Sequence, residues 1–333
     1  MKRLGIGVIG LGVGEQLART FKSDSRCNLL HVFDIDFVKS KKIASDLGTH
    51  SAENINEILD DPSVDILVVA TYDDSHIDQV VPGIQKKKHI FCEKPLCVNY
   101  GQLNKISKTW KSNDNKVKFF SNLVLRGAPV YSWLRKQIMS GEFGEIYSID
   151  GDYLYGRLNK ITKGWRGKRE YSPILGGGIH MIDLICWLTN KRAIKVNAYG
   201  NNISTKSSNL AFNDYVEASI IFEDNMVARI SCNLSCVHRH QHVLRIFGTK
   251  KTFILDDQGP RIHETRNPDV GSKNIERETL PNTKGILISS FVDAIIDDKD
   301  TVSVTQEVFD IMSIGLAIDE SLKSGKEIKI NYV

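Results

Sequence analysis

The strongest constraint on the fold is a regular alternation of short apolar runs and amphipathic segments over residues 4–121. The runs are Leu4–Ile9, Leu29–Phe33, Asp65–Thr71, His89–Cys92 and Val117–Ser121. The segments between them with apolar residues at helical spacing are Glu15–Phe21, Asp36–Leu47, Ser75–Gln85 and Tyr100–Trp110. Continuous apolar runs are typical of strands buried on both faces. Strands that alternate with helices predict a parallel sheet wound on both sides by helices.

A different pattern follows residue 122. Pro129–Met139 predicts a helix, a long strand follows it, and a second helix begins near Gly176–Gly178. Residues 194–256 are rich in β-branched and aromatic residues between turns, which predicts an antiparallel sheet. The polar stretch 257–284 predicts a surface loop, and two helices near 286–296 and 304–322 end the chain.

A glycine-rich turn, GVIGLGVGE, links the first predicted strand to the first helix. Gly10, Gly12 and Gly14 would let the backbone approach a pyrophosphate, which the helix N-terminus would also attract. The spacing is G-x-G-x-G-E instead of the usual G-x-G-x-x-G. Asp34 ends the second strand, where a carboxylate can bind ribose hydroxyls and repel a 2′-phosphate. A turn without ligand is the alternative, but the combination favours an NAD site over an NADP site.

Composition excludes several classes of function. The 333 residues carry 44 basic and 40 acidic side chains, a net charge of +4, which gives no reason to expect nucleic acid or a membrane surface as partner. Six cysteines without a tight framework indicate reduced thiols and a cytoplasmic protein. The Cys- and His-rich stretch 232–242 predicts no metal site, because Cys232 and Cys236 would lie about 13 Å apart on a strand.

Two further motifs carry candidate chemistry. In CEKP, Lys94 follows a strand end that should face the ligand crevice, so its amine could donate to a substrate oxygen. In GGGIHMIDLICWL, His180 lies in the first turn of a helix with Asp183 one turn later. An imidazole suits proton transfer near neutral pH. The structural alternatives are a Glu93–Lys94 salt bridge and a capping histidine.

Together, VIGLGVGEQ, Asp34, VVAT, CEKP and GGGIHMIDL resemble the Gfo/Idh/MocA oxidoreductases over essentially the whole chain. The resemblance implies NAD(P)-dependent oxidation or reduction of sugars, polyols or their derivatives. It also implies Lys94 beside the nicotinamide, His180 as acid/base, and a homodimer or homotetramer formed through the large C-terminal sheet. Two positions depart from the family: Gly176 replaces an aspartate found in several members, and Leu17 replaces a histidine.

The resulting predictions are specific. The fold class is α/β, with a Rossmann dinucleotide-binding domain at residues 1–121. An α+β domain at 122–333, with a large open and mostly antiparallel sheet, binds substrate and forms the oligomer. Catalytic residues are predicted to be Lys94, His180 and Asp183. The cofactor site comprises Gly10, Gly12, Val13, Gly14, Asp34, Ile35, Thr71, His76, Glu93 and Lys94. The substrate site comprises Lys94, Asn122, Arg126, Trp165, Arg166 and His180.

Two other functions stay open at this stage. One is a catalytically silent NAD-binding sensor or scaffold, favoured by the missing aspartate at position 176. The other is an oxidoreductase of a non-sugar substrate, such as a dihydrodiol or a biliverdin-like compound. Lys163, Trp165 and Arg166 could hold an acidic or nucleotide-linked sugar, since cationic side chains bind anions well; the structural alternative is a solvated loop with one packed tryptophan.

Overall fold

Two β-sheets organise the chain, which a computed structural model describes over residues 3–114, 116–168, 171–208 and 210–333. The described residues separate into two compact units. The first comprises Met1–Val124, Asn282–Met312 and Val333, and the second comprises Leu125–Pro281 and Ser313–Tyr332.

The first unit contains a six-stranded sheet among the described residues. Its strands are β1 (Leu4–Ile9), β2 (Cys27–Phe33), β3 (His50–Ser51), β4 (Ile66–Val69), β5 (His89–Cys92) and β6 (Phe119–Ser121). The order across the sheet is β3-β2-β1-β4-β5-β6, and every pair is parallel. The helices between the strands are α1 (Gly14–Ser23), α2 (Phe37–Leu47), α3 (Ile55–Asp60), α4 (Ile77–Gln85) and α5 (Tyr100–Lys111). The predicted doubly wound parallel sheet is confirmed.

Local sequence explains how these elements begin and end. The Asp36 side chain accepts a hydrogen bond from the Lys39 N–H and caps α2, which ends at Gly48 with φ of +54°. Asn54 and Asn99 cap α3 and α5 in the same way. Sequence analysis missed β3 and α3, because a two-residue strand and a six-residue helix are too short to show a period.

The core of the first unit also takes residues from near the C-terminus. Phe91 of β5 packs against Phe291, whose ring centroid lies 5.5 Å away, and Trp110 packs against Phe309 at 5.7 Å. Phe291 lies on α9 (Ile288–Ile296), and Phe309 lies on α10 (Val302–Ser324). The first compact unit therefore includes residues beyond the predicted range 1–121. Phe291 and Phe309, which come near the end of the chain, bury their apolar surface against the parallel sheet.

The second unit contains a nine-stranded sheet within the described ranges. Its strands are β7 (Ile146–Leu154), β8 (Ala193–Asn201), β9 (Tyr215–Phe222), β10 (Val227–Asn233), β11 (Gln241–Gly248), β12 (Thr252–Asp256), β13 (Gly259–His263), β14 (Lys273–Asn274) and β15 (Ile328–Lys329). The order is β14-β13-β12-β11-β7-β10-β9-β8-β15, antiparallel except for β7 with β10. Its helices are α6 (Pro129–Met139), α7 (Leu158–Thr162), α8 (Ile179–Thr189) and the end of α10.

This mostly antiparallel sheet confirms the predicted fold class. The prediction of a surface loop over 257–284 was wrong in part, because β13 lies inside it and pairs antiparallel with β12. Asp257 and Gln258 form the tight turn between these strands, and Gly259 follows them with φ of +86°. None of the described helices is long and apolar enough to cross a membrane.

Candidate active site

The glycines of the GVIGLGVGE turn differ in the space around them. Gly10 has φ of +85°, and a Cβ there would lie 2.5 Å from the Ala70 carbonyl oxygen, so the fold itself requires glycine. A Cβ on Gly14 would touch that of Ala70 at 3.0 Å. At Gly12, by contrast, a Cβ would meet no described atom within 4 Å. The space above Gly12 and the exposed Val13 is therefore open, as a bound pyrophosphate would need.

Asp34 joins this turn to the end of β2. Its Oδ2 accepts the Leu11 N–H at 2.7 Å, and its Oδ1 accepts the Asp36 N–H at 2.9 Å. The Lys39 amine lies 3.3 Å from Oδ2, an ion pair that the sequence analysis did not foresee. Ile35 beside it is 77% exposed, so it offers an apolar surface at the turn. Carboxylate oxygens have further lone pairs, so Asp34 can also accept hydrogen bonds from ribose hydroxyls.

The turns after β4 and β5 are tied together by His76. Its ring is fully buried, with Nδ1 2.8 Å from the Pro95 carbonyl oxygen and Nε2 3.3 Å from that of Thr71. Thr71 in turn donates its hydroxyl to Gln79 at 2.9 Å. His76 therefore ties the turn after β4 to Pro95, the residue that follows Lys94 through a cis peptide bond.

Glu93 and Lys94 follow β5 directly, and both are partly buried. Glu93 Oε1 accepts a hydrogen bond from Asn122 Nδ2 at 2.6 Å, and Asn122 also donates to the Lys284 carbonyl at 3.1 Å. The buried Asn122 Oδ1 has no hydrogen-bond partner in the described part of the chain. This oxygen could accept a hydrogen bond from a bound ligand, because a buried acceptor without a partner costs free energy.

The cysteines that flank this motif are unreactive. Burial raises the pKa of the Cys97 thiol to about 12 and that of Cys92 well above its usual range. Thiols with such pKa values stay protonated and are poor nucleophiles near neutral pH. Redox or metal chemistry at Cys92 and Cys97 is therefore unfavourable, and the chemical interest of the motif lies in the charged residues between them.

His180 lies in the first turn of α8, which continues directly from the buried π-helical turn Ile174–Gly178. The imidazole is almost fully buried beside two rings from the second sheet. Tyr153 stacks on it with centroids 6.2 Å apart, and His242 meets it edge-on at 5.8 Å. Burial raises the pKa of Tyr153 well above its usual value, so this hydroxyl stays protonated. An imidazole can accept a proton near neutral pH, and this cluster holds two, His180 and His242.

Asp183 is fully buried and faces Arg126. Its Oδ1 accepts hydrogen bonds from Arg126 Nε at 2.9 Å and Nη2 at 2.6 Å. The guanidinium also lies 5.7 Å from the centre of the Trp187 ring. The structure thus brings a predicted catalytic residue and a predicted substrate residue into one buried ion pair.

The departure at Gly176 has a steric explanation. A Cβ at this position would lie 1.8 Å from the Tyr171 hydroxyl oxygen, so the phenol occupies the space that a larger residue would take. Tyr171 also packs edge-on against Trp165 at 5.9 Å. Arg166 lies over both rings, 4.6 Å from Trp165 and 5.3 Å from Tyr171. Glycine at 176 therefore leaves the space that the Tyr171 hydroxyl fills.

Tyr153, Tyr171 and His242 lie beside predicted site residues but were not themselves among the residues predicted for the site. Tyr153 and His242 are direct partners in the register of β7 and β11, which only the strand pairing reveals. A signal existed for Tyr171, since it belongs to the basic and aromatic stretch that precedes the glycine turn. Arg169 and Glu170 of that stretch lie outside the described residues.

Comparison with known proteins agrees with this architecture. Residues 4–120 match the family described as "Oxidoreductase family, NAD-binding Rossmann fold", and residues 131–254 match the "GFO/IDH/MocA C-terminal domain". Glucose-6-phosphate 3-dehydrogenase of Bacillus subtilis (strain 168) is 25% identical over 276 residues, covering 78% of this chain and 76% of the relative. The 2,7-anhydro-N-acetylneuraminate hydratase of Escherichia coli (strain K12) is 25% identical over 258 residues, covering 76% and 67%.

A solved structure shows the same fold. Scyllo-inositol dehydrogenase from Lactobacillus casei, with bound NAD(H) and scyllo-inositol, superimposes with a TM-score of 0.80 at 18% identity, covering 98% of this chain and 99% of that one. Because the two family models cover the N-terminal dinucleotide fold and most of the second sheet, they confirm the resemblance seen in the sequence. This chain belongs to the Gfo/Idh/MocA oxidoreductase family and carries an NAD-binding Rossmann domain.

Proposed function

We propose that this protein is an NAD-dependent oxidoreductase that acts on the CH–OH group of a sugar, a polyol or a derivative of one. The observation that carries the proposal is the buried His180, held among Tyr153 and His242 in the same chain as an open glycine turn. An imidazole can take the proton of a substrate hydroxyl near neutral pH.

The residues of the first unit fit a dinucleotide. Gly12 leaves open space, the N-terminus of α1 supplies N–H donors, and Asp34 offers carboxylate oxygens to the ribose. Asp34 disfavours a 2′-phosphate, so NAD is preferred to NADP. When bound, the cofactor accepts or supplies a hydride at the nicotinamide ring. We assign the polar groups after β4, β5 and β6, including Thr71, Glu93 and the Oδ1 of Asn122, to the nicotinamide end.

Two residues carry the proton chemistry in this proposal. His180 takes the proton from the substrate hydroxyl, and Lys94 donates a hydrogen bond to the same oxygen as negative charge develops there. Glu93 and Asn122 position Lys94, because their 2.6 Å hydrogen bond fixes the chain immediately before it. We assign Asp183 to holding Arg126 in place, because Asp183 Oδ1 accepts two hydrogen bonds from the guanidinium.

The substrate class rests on the chemistry of the site and on the relatives. Similar proteins are named for activity on a sugar phosphate, inositols and an anhydro sialic acid, all of which are rich in hydroxyl groups. The Arg166 guanidinium over Trp165 and Tyr171 gives the second unit a cation that suits an acidic or phosphorylated sugar. We further propose that the large sheet forms a homodimer or homotetramer.

A second candidate comes from the relatives described as hydratases. A net hydration consumes the substrate without accumulating NADH, so it differs from a dehydrogenase in one observable. The test is therefore a panel of inositols, hexoses, uronates, sugar phosphates and anhydro sugars, each incubated with NAD⁺. Both NADH absorbance and substrate loss are followed. NADH formation supports the dehydrogenase, and substrate loss without NADH supports the hydratase.

Variants then test the assigned roles. Lys94→Ala and His180→Ala should each lose most of kcat while they still bind NADH, and the exposed Lys105→Ala serves as a charge-matched control with full activity. Full turnover in both site variants would refute the assignment. NADH binding without consumption of any compound in the panel would favour the silent sensor instead.

A further inference from the structure

Two histidines lie side by side on the edge of the parallel sheet, away from the residues assigned to the cofactor. His31 of β2 and His50 of β3 are direct partners in the strand register. Their rings meet edge-on, with centroids 5.4 Å apart and planes at 82°. Two imidazoles held on one face by neighbouring strands are a common starting point for a metal site.

Carboxylates complete the cluster. Glu57 of α3 places Oε1 2.5 Å from His50 Nε2, and its Oε2 accepts the Glu53 N–H at 2.8 Å. Asp61 places Oδ2 2.6 Å from His31 Nε2.

The second ring nitrogen of His31 could serve as a metal ligand. His31 Nδ1 is buried and has no hydrogen-bond partner among the described residues. Since Asp61 holds Nε2, the nitrogen left over is the one that can donate its lone pair to an ion. A carboxylate on the second nitrogen of a metal-binding histidine is the usual way its tautomer and orientation are fixed.

We propose that His31, His50 and Glu57 bind a divalent cation of the zinc class, with Asp61 orienting His31. One ligand atom from each of the three residues lies within 4.8 Å of the others. Around a tetrahedral zinc with bonds of about 2.0–2.1 Å, ligand atoms are roughly 3.3 Å apart. The adjustment is small, because the His50 and Glu57 side chains are 54% and 34% exposed and can rotate.

The donor set selects the metal. Two imidazoles and one carboxylate suit zinc, whereas calcium and magnesium prefer oxygen ligands alone. The ion would join β2, β3 and α3. Its three ligands come from positions 31, 50 and 57, which form no local motif, so the sequence did not predict the site. None of the three ligand residues is among those assigned to the cofactor or the substrate.

Zinc binding to the full-length protein, after removal of metals by a chelator, tests the site. Calorimetric titration with ZnCl₂ should show a site in the wild type whose affinity falls at least tenfold in His50→Ala and in Glu57→Gln. CaCl₂ should give no comparable binding. His238 is the matched control, because it pairs with Asp257 at 3.1 Å without a second histidine ligand, so His238→Ala should leave zinc affinity unchanged.

A second measurement guards against a folding defect. Zinc should raise the thermal midpoint of the wild type and of His238→Ala but not that of His50→Ala, since an ion that binds the native state stabilises it. Equal zinc affinity in the wild type and both site variants would overturn the proposal, because the binding would then lie elsewhere. Absence of zinc binding in the wild type would overturn it as well.

Discussion

The buried ion pair between Arg126 and Asp183 allows a quantitative prediction. Asp183→Asn keeps the size of the side chain and removes the charge, so no cavity forms. Breaking a buried pair by removing one partner costs about 3–5 kcal/mol, because the other charge is left without compensation. The Arg126 side chain retains 13% of its exposure, so water recovers part of that cost. We therefore expect the free energy of unfolding to fall by about 3 kcal/mol.

Urea unfolding, followed by tryptophan fluorescence, measures this loss. Trp187 lies beside Arg126 and should report the change directly. The control is the exposed pair of Glu15 and Arg19, where Glu15→Gln should cost less than about 1 kcal/mol. The double variant Arg126→Met with Asp183→Leu should regain much of the stability, since an apolar pair carries no desolvated charge.

Two results would refute the reasoning. One is an Asp183→Asn protein within about 1 kcal/mol of the wild type, and the other is a double variant as unstable as the single one. The same proteins separate two roles for Asp183. A positioning role through Arg126 raises KM in Asp183→Asn, whereas direct support of His180 lowers kcat and shifts its pH profile.

Three further predictions concern the cofactor turn, the glycine turn before α8 and a buried thiol. Asp34→Ser should raise affinity for NADP⁺ relative to NAD⁺ in fluorescence titrations, because the freed Lys39 amine can then meet a 2′-phosphate; an unchanged ratio would contradict this. Gly176→Asp should lower the thermal midpoint and not raise kcat, since its Cβ would overlap the Tyr171 hydroxyl; a more active enzyme would contradict this. Burial raises the pKa of the Cys97 thiol to about 12, so as pH rises this thiol ionises in the unfolded chain before it does in the folded protein. The urea midpoint of the wild type should therefore fall as pH rises from about 9 toward 12, and it should fall less in Cys97→Ala. Equal pH dependence in both proteins would contradict that reasoning.

The parallel sheet was predictable because its strands are buried on both faces. Ile66–Val69 is wholly buried, and that burial leaves a continuous apolar run in the sequence. The helices between strands follow from apolar spacing and from caps such as Asp36. Short elements such as β3 and β14 left no such pattern, because two residues cannot show a period.

The sequence could suggest site residues only where a motif is local. Gly12, Lys94 and His180 each stand in a short pattern whose chemistry is recognisable. Tyr153 and His242 meet through the pairing of β7 with β11, a contact between positions far apart in sequence.

The role of Gly176 shows the same limit. The sequence records a missing carboxylate there, whereas the structure shows a phenol in its place. The absence alone therefore says little about whether the protein is catalytic, because a neighbouring residue has taken the space.

Transfer of deuterium tests the central claim most directly. A substrate found in the panel is labelled with deuterium at the carbinol carbon, incubated with NAD⁺ and the wild-type protein, and the nucleotide is analysed by mass spectrometry. The account predicts NADH that carries one deuterium per turnover, with formation lost in His180→Ala although NADH still binds. Tight NADH binding by a wild-type protein that moves no deuterium from any substrate in the panel would contradict it.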